Sequence, residues 1–106
     1  MVYTHPMGWA QHYIAALKTG KTVSFRPRGN SMSPRIKSGQ LCTVEPVDTV
    51  QLRQDDVVLC KVNGREYLHI IYAIQGDRFL IGNNKNHVNG WVSASAVYGR
   101  LVSVED

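Results

Sequence analysis

The feature that most constrains the fold is a series of short β-prone segments separated by tight-turn residues after residue 20. Asn63-Gly64 is a strong hairpin signal, and it lies between two runs rich in β-branched and aromatic residues, 57–62 and 66–74. The same composition predicts further strands at residues 22–25, 41–44, 78–81 and 98–104. Short strands joined by tight turns predict a mainly β fold, either a small coiled β-barrel or a coiled sheet.

The first twenty residues have a helical pattern instead. Trp9, Tyr13 and Leu17 recur, together with Ile14, at spacings near 3.6 and form one apolar stripe. Gly20 is typical of the residue that ends a helix. We therefore expect an N-terminal amphipathic helix over residues 1–20 and a β domain over residues 21–106. The stripe must pack either on the rest of the domain or on a protein partner, which would contact Trp9, Tyr13 and Leu17.

Length and hydropathy limit where the chain can act. A chain of 106 residues is long enough for one domain with a real core. The longest purely apolar run covers only residues 70–74, so no segment is long enough to cross a membrane as a helix. The N-terminus has no basic start followed by an apolar stretch, which a secretory signal would need. The sequence therefore predicts a soluble, cytoplasmic protein.

The charge is unevenly distributed, with six basic and no acidic residues in 1–44, against six basic and eight acidic residues in 45–106. A basic first part can meet an acidic partner, but no pattern of interleaved aromatic and basic residues accompanies it, so nucleic acid binding is not favoured. Cys42 and Cys60 lack the spacing of zinc ligands and are interpreted as reduced core residues, although a disulfide between neighbouring strands stays possible.

The residues suited to catalysis are few. No phosphate loop, dinucleotide fingerprint or metal-ligand spacing is present, so neither a cofactor nor a metal is predicted. Ser31 lies in a cluster of turn residues, where a sharp bend exposes a hydroxyl beside backbone N–H groups, as acyl transfer requires. His69 lies in a predicted strand and is suited to a general base, because an unperturbed imidazole is neutral at pH 7. Each residue alone is more typical of a structural role.

Three segments in order share a resemblance to one family. Residues 29–39 (GNSMSPRIKSG) are the first, residues 55–71 around His69 the second, and residues 80–84 (LIGNN) with 97–102 (VYGRLV) the third. Together they resemble the LexA/signal peptidase superfamily of serine peptidases, of the S24/S26 type. The resemblance spans nearly the whole chain after the predicted helix, and it implies the coiled, mainly β fold of the LexA C-terminal and signal peptidase domains.

The resemblance also implies roles for particular residues. Ser31 occupies the nucleophile position, and His69 occupies the general-base position, where repressor-type and bacterial signal peptidases have lysine. Histidine there is similar to the signal peptidases of the endoplasmic reticulum and archaea. The backbone N–H of Ser31, with Asn30 or Gly29 beside it, would face the oxyanion.

The third segment departs from the family pattern, because Gly82-Asn83-Asn84 replaces Gly-Asp-Asn. Asn83 could orient His69 through its side-chain oxygen, but it would supply no negative charge. Two functions therefore follow as hypotheses. One is a soluble serine peptidase that cleaves a peptide or protein substrate with a Ser31–His69 dyad. The other is a non-catalytic binding or regulatory module, of phage or mobile-element type, whose basic first part and helix stripe recruit a protein partner.

Overall fold

The computed structural model describes residues 8–106, and the fold is mainly β. One α-helix, α1, covers Gln11–Lys18. Seven strands follow in the described part of the chain: β1 Val23–Phe25, β2 Leu41–Glu45, β3 Val57–Val62, β4 Arg65–Gln75, β5 Arg78–Gly82, β6 Val88–Ser93 and β7 Val97–Glu105. Short 3₁₀ turns precede β3 and join β6 to β7.

The strands form a single antiparallel sheet in the order β1-β2-β7-β3-β4-β5-β6. Within residues 8–106 the two edge strands, β1 and β6, are not paired with each other, so the sheet is open. Of the two predicted forms, the structure is therefore the coiled sheet and not the closed barrel. The predicted β3–β4 hairpin is present, and Asn63 and Gly64 both take positive φ values in its turn, 51° and 81°.

Both faces of the sheet are covered by apolar side chains. Val57 and Leu59 of β3 belong to one buried cluster, whereas Val58, Cys60 and Val62 belong to another. This alternation follows from the two-residue period of a strand. Cys60 thus lies in a different cluster from Cys42, and both cysteines are buried and free, as interpreted from the sequence.

Helix α1 packs on the first of these clusters through its own apolar residues. Ile14 and Leu17 are buried there, and the chain turns out of the helix at Gly20, whose φ is +89°. Glu66 of β4 fixes the other end, because its carboxylate oxygen Oε1 accepts the N–H of Ala10 at 2.6 Å. The described helix is shorter than the predicted span of 1–20, whose first seven residues lie outside the described residues.

Strand β6 is absent from the strands that the sequence predicts. Asn89 and Gly90 have low β propensity, and β6 is an edge strand with Val88 and Trp91 about half exposed. Pairing with β5 therefore makes this segment a strand, although its local composition does not favour one. No helix among residues 8–106 has the length and hydropathy needed to cross a membrane.

Candidate active site

Ser31 lies at the tip of an irregular segment between β1 and β2. Two backbone hydrogen bonds tighten the segment, from Ser33 N to Asn30 O and from Ile36 N to Met32 O, at 3.1 and 2.9 Å. Met32 and Ile36 are buried in the core, whereas Ser31 is exposed. The buried side chains therefore anchor the turn and leave the serine hydroxyl at the surface.

A second contact holds this turn from the loop between β5 and β6. The backbone N–H of Asn84 donates to the carbonyl of Ser31 at 2.9 Å, and its side-chain Nδ2 donates to the carbonyl of Ser33 at 2.8 Å. One asparagine thus clamps the backbone on both sides of Met32. Asn84 belongs to the third sequence segment, and its place in the fold is that of a positioning residue for the serine turn.

We expect Asn84→Ala to lower kcat about tenfold with little change in KM. The variant loses the Nδ2 bond to Ser33, which costs about 1 kcal/mol of stability, but it keeps the backbone bond to Ser31. Steady-state kinetics and thermal unfolding check this, with Lys85→Ala as the neighbouring exposed control. An unchanged kcat in a destabilised Asn84→Ala protein would show that the clamp is only structural.

His69 of β4 lies within hydrogen-bond distance of the serine. Ser31 Oγ and His69 Nε2 are 3.2 Å apart, although 38 residues separate them in the chain. The imidazole is only 6% exposed, and its ring stacks on that of Tyr67 with the centroids 4.7 Å apart. The structure therefore brings Ser31 and His69 together, and packed neighbours hold the imidazole in place.

The surroundings of His69 favour its neutral form. Burial lowers the pKa of His69 below its ordinary value of 6.5, and the neighbouring His87 lowers it further, while the hydrogen bond to Asn89 acts in the opposite direction. A neutral imidazole with a free lone pair on Nε2 can accept the serine proton. His69 is thus in the protonation state of a general base at neutral pH.

The lowered pKa predicts the acid side of the pH–rate profile. We expect kcat/KM to fall with decreasing pH around a midpoint below 6.5, because protonation of His69 removes the base and burial opposes that protonation. The same midpoint should appear when the His69 resonance is titrated by NMR in Ser31→Ala. A midpoint above 6.5 in both measurements would contradict this assignment.

The residue that orients His69 is Asn89, not Asn83. Asn89 Oδ1 lies 2.7 Å from His69 Nδ1, and a carbonyl oxygen can only accept, so Nδ1 carries the proton and Nε2 faces Ser31. The side-chain oxygen of Asn83 instead accepts the backbone N–H groups of Lys85 and His87. The structure therefore does not place Asn83 in the orienting position expected from the sequence, because its amide oxygen closes the β5–β6 loop.

A β-bulge explains how Asn89 reaches the imidazole. Ile81 pairs with Gly90 and Gly82 pairs with Val88, so Asn89 is an extra residue on β6 with no partner on β5. Bulges redirect side chains next to active sites. Gly90 has a φ of +141°, which favours glycine. In the sequence, the Asn89-Gly90 pair alone indicates this bulge, and the same pair is equally typical of a turn.

The candidate oxyanion donors divide into two groups. The N–H of Gly29 donates to Ser38 Oγ at 3.1 Å, so in this structure it is already occupied. The N–H groups of Asn30 and Ser31 have no acceptor within residues 8–106. These two donors lie at the serine and are free to bind a developing negative charge.

A cavity of about 590 Å³ opens beside the dyad. Ser31 and His69 line it together with aromatic and aliphatic side chains from α1, β1 and β4 and with Arg26 and Arg28. Its size is in the range of ligand-binding pockets. Among residues 8–106 no group of three or more His, Cys, Asp or Glu side chains is placed to hold a metal ion.

A comparison with known protein families finds a match to this chain. Residues 6–102 match the family model described as Peptidase S24-like, which is nearly the whole chain. The chain belongs to the Peptidase S24-like family. No curated protein matches it. Membership agrees with the LexA/signal peptidase resemblance of the sequence and with the observed mainly β fold, and the S24-like domain gives the protein a peptidase-related function.

Proposed function

We propose that this S24-like protein is a serine endopeptidase that hydrolyses a peptide bond in trans with Ser31 as nucleophile and His69 as general base. The observation that supports this most is the 3.2 Å distance between Ser31 Oγ and His69 Nε2, together with Asn89 on the other ring nitrogen. Nucleophile, base and orienting group thus form a continuous hydrogen-bonded chain, which is the arrangement that activates a serine.

Acylation follows from this chain of contacts. His69 Nε2 takes the proton from Ser31 Oγ as the oxygen attacks the scissile carbonyl, and the resulting oxyanion faces the free N–H groups of Ser31 and Asn30. The side-chain oxygen Oδ1 of Asn89 accepts a hydrogen bond from Nδ1–H and so stabilises the imidazolium. His69 then gives the Nε2 proton to the leaving amine, the C–N bond breaks, and an ester with Ser31 remains.

Deacylation uses the same groups in reverse. His69 takes a proton from a water molecule that attacks the ester, and the second oxyanion is bound at the same two N–H groups. Collapse of this intermediate breaks the bond to Ser31 Oγ, which recovers its proton from His69 Nε2 and releases the new carboxyl terminus. The imidazole returns to its neutral form, so each cycle consumes one water molecule and leaves the enzyme unchanged.

Covalent labelling tests the proposal without knowledge of the substrate. A fluorophosphonate probe reacts with activated serines, and we expect it to phosphonylate Ser31, as identified by peptide mass spectrometry. Ser31→Ala should abolish labelling. Ser33→Ala removes a neighbouring serine but keeps Ser31, so this control variant should still be labelled. Folded wild-type protein that does not label over hours at pH 8 would overturn the proposed peptidase.

The second candidate function is a non-catalytic S24-fold module that recruits a protein partner. The side chain that faces His69 Nδ1 is Asn89, an amide, and it favours this function because it adds no negative charge to stabilise an imidazolium. In this case Ser31 would stay unlabelled while the protein still binds a partner. Of the predicted stripe, Leu17 is buried in the chain's own core, so contacts there would involve Trp9 and Tyr13.

A further inference from the structure

The apolar part of the cavity beside the dyad has an unusual concentration of aromatic rings. Trp9, Tyr13 and Phe25 pack on one another, with centroid distances of 5.4 Å between Trp9 and Phe25 and 4.5 Å between Tyr13 and Phe25. Tyr67, stacked on His69, lines the same cavity. Trp9 remains 47% exposed although it belongs to this cluster. The cavity thus offers a broad aromatic wall next to the nucleophile, wide enough for a large apolar side chain.

The exposed charges around this cavity are positive. Arg26 and Arg28 line it and are exposed, and Arg26 donates to the carbonyl of Gly39, which holds its guanidinium in place. The single acidic residue in the lining, Glu66, is only 7% exposed, and its Oε1 is bound to Ala10 N. The exposed charge at the cavity is therefore positive, and an acidic occupant is complementary to it.

We propose that the cavity binds an extended peptide whose large apolar residue, phenylalanine, tyrosine or leucine, is flanked by acidic residues. The apolar side chain lies on the wall formed by Trp9, Phe25 and Tyr67, and the acidic residues face Arg26 and Arg28. This places the apolar residue at or next to the carbonyl that Ser31 approaches. The inference rests on the proposed function in taking this cavity as the substrate site, and it names the class of that substrate.

A binding assay tests the inference separately from catalysis. Four fluorescent capped peptides carry phenylalanine or alanine at the centre, flanked by glutamates or by lysines, and each is titrated against Ser31→Ala by fluorescence anisotropy. We expect the glutamate-flanked phenylalanine peptide to bind at least about tenfold more tightly than the other three. Arg28→Glu in the same background should weaken it about tenfold, and added salt should weaken it in the parent.

Lys61→Glu is the matched control, because Lys61 is exposed on β3 outside the cavity lining and the charge change is the same. Lys61→Glu should leave the affinity for the glutamate-flanked phenylalanine peptide unchanged. If Lys61→Glu and Arg28→Glu weaken binding equally, the effect comes from net charge alone and the inference is overturned. Equal binding of the alanine peptide, preference for lysine flanks, or no binding of any peptide would also overturn it. Cleavage of the same peptides by the wild type reports on the proposed function alone.

Discussion

Replacing His69 with glutamine is expected to lower kcat/KM by about 10²- to 10⁴-fold, the usual contribution of a general base. Glutamine can still contact Ser31 Oγ, but an amide cannot take a proton from it at neutral pH. The second-order rate constant for labelling of Ser31 by a fluorophosphonate should fall in parallel, because the hydroxyl is then no longer activated. Both measurements use the intact protein, and the second requires no substrate.

The control for this experiment must account for burial, because His69 is packed inside the domain and only 6% exposed. The melting temperature of His69→Gln therefore has to be recorded, and rates are compared only where the variant is folded. His12→Gln changes an exposed histidine on α1 and should leave the rate unchanged. A folded His69→Gln protein that labels within tenfold of the wild type would contradict the dyad.

The sequence predicts those strands whose local composition favours the same β structure that their position in the sheet requires. β3 and β4 have β-branched runs on both sides of Asn63-Gly64, and the observed hairpin follows that pattern residue by residue. β6 could not be predicted in this way. Asn89 and Gly90 favour a turn locally, and only the neighbouring strand β5 makes them part of the sheet.

The same distinction applies to the site. Ser31 and His69 could be predicted as site residues because each lies in a segment with a recognisable family pattern. Matching such a pattern does not depend on how far apart the two residues are in the chain. Asn89 was missed because its role depends on one extra residue in β6, which no residue-type pattern records. Asn83 stands at the family position of the orienting residue, but its side-chain oxygen closes a loop instead. Register, not composition, therefore decides which asparagine contacts the base.

Asn89→Asp is expected to raise the pKa of His69 and to raise kcat/KM on the alkaline plateau about ten- to a hundredfold. Asn89 Oδ1 lies 2.7 Å from His69 Nδ1, so a carboxylate there stabilises the imidazolium formed in the transition state, whereas an amide adds no charge. The acid limb of the pH–rate profile should move to higher pH, because the charged base is now favoured. Rates are therefore compared on the alkaline plateau of each protein's own pH–rate profile, where the rate no longer changes with pH.

Asn83→Asp is the matched control, since it makes the same chemical change six positions earlier, at the residue that the family pattern singled out. An aspartate there can still accept the N–H groups of Lys85 and His87, so the loop is preserved, and it does not contact the imidazole. We expect its rate and its acid limb to stay close to those of the wild type. If Asn83→Asp accelerates the reaction and Asn89→Asp does not, the base is oriented from the family position during catalysis, and the assignment of Asn89 is wrong.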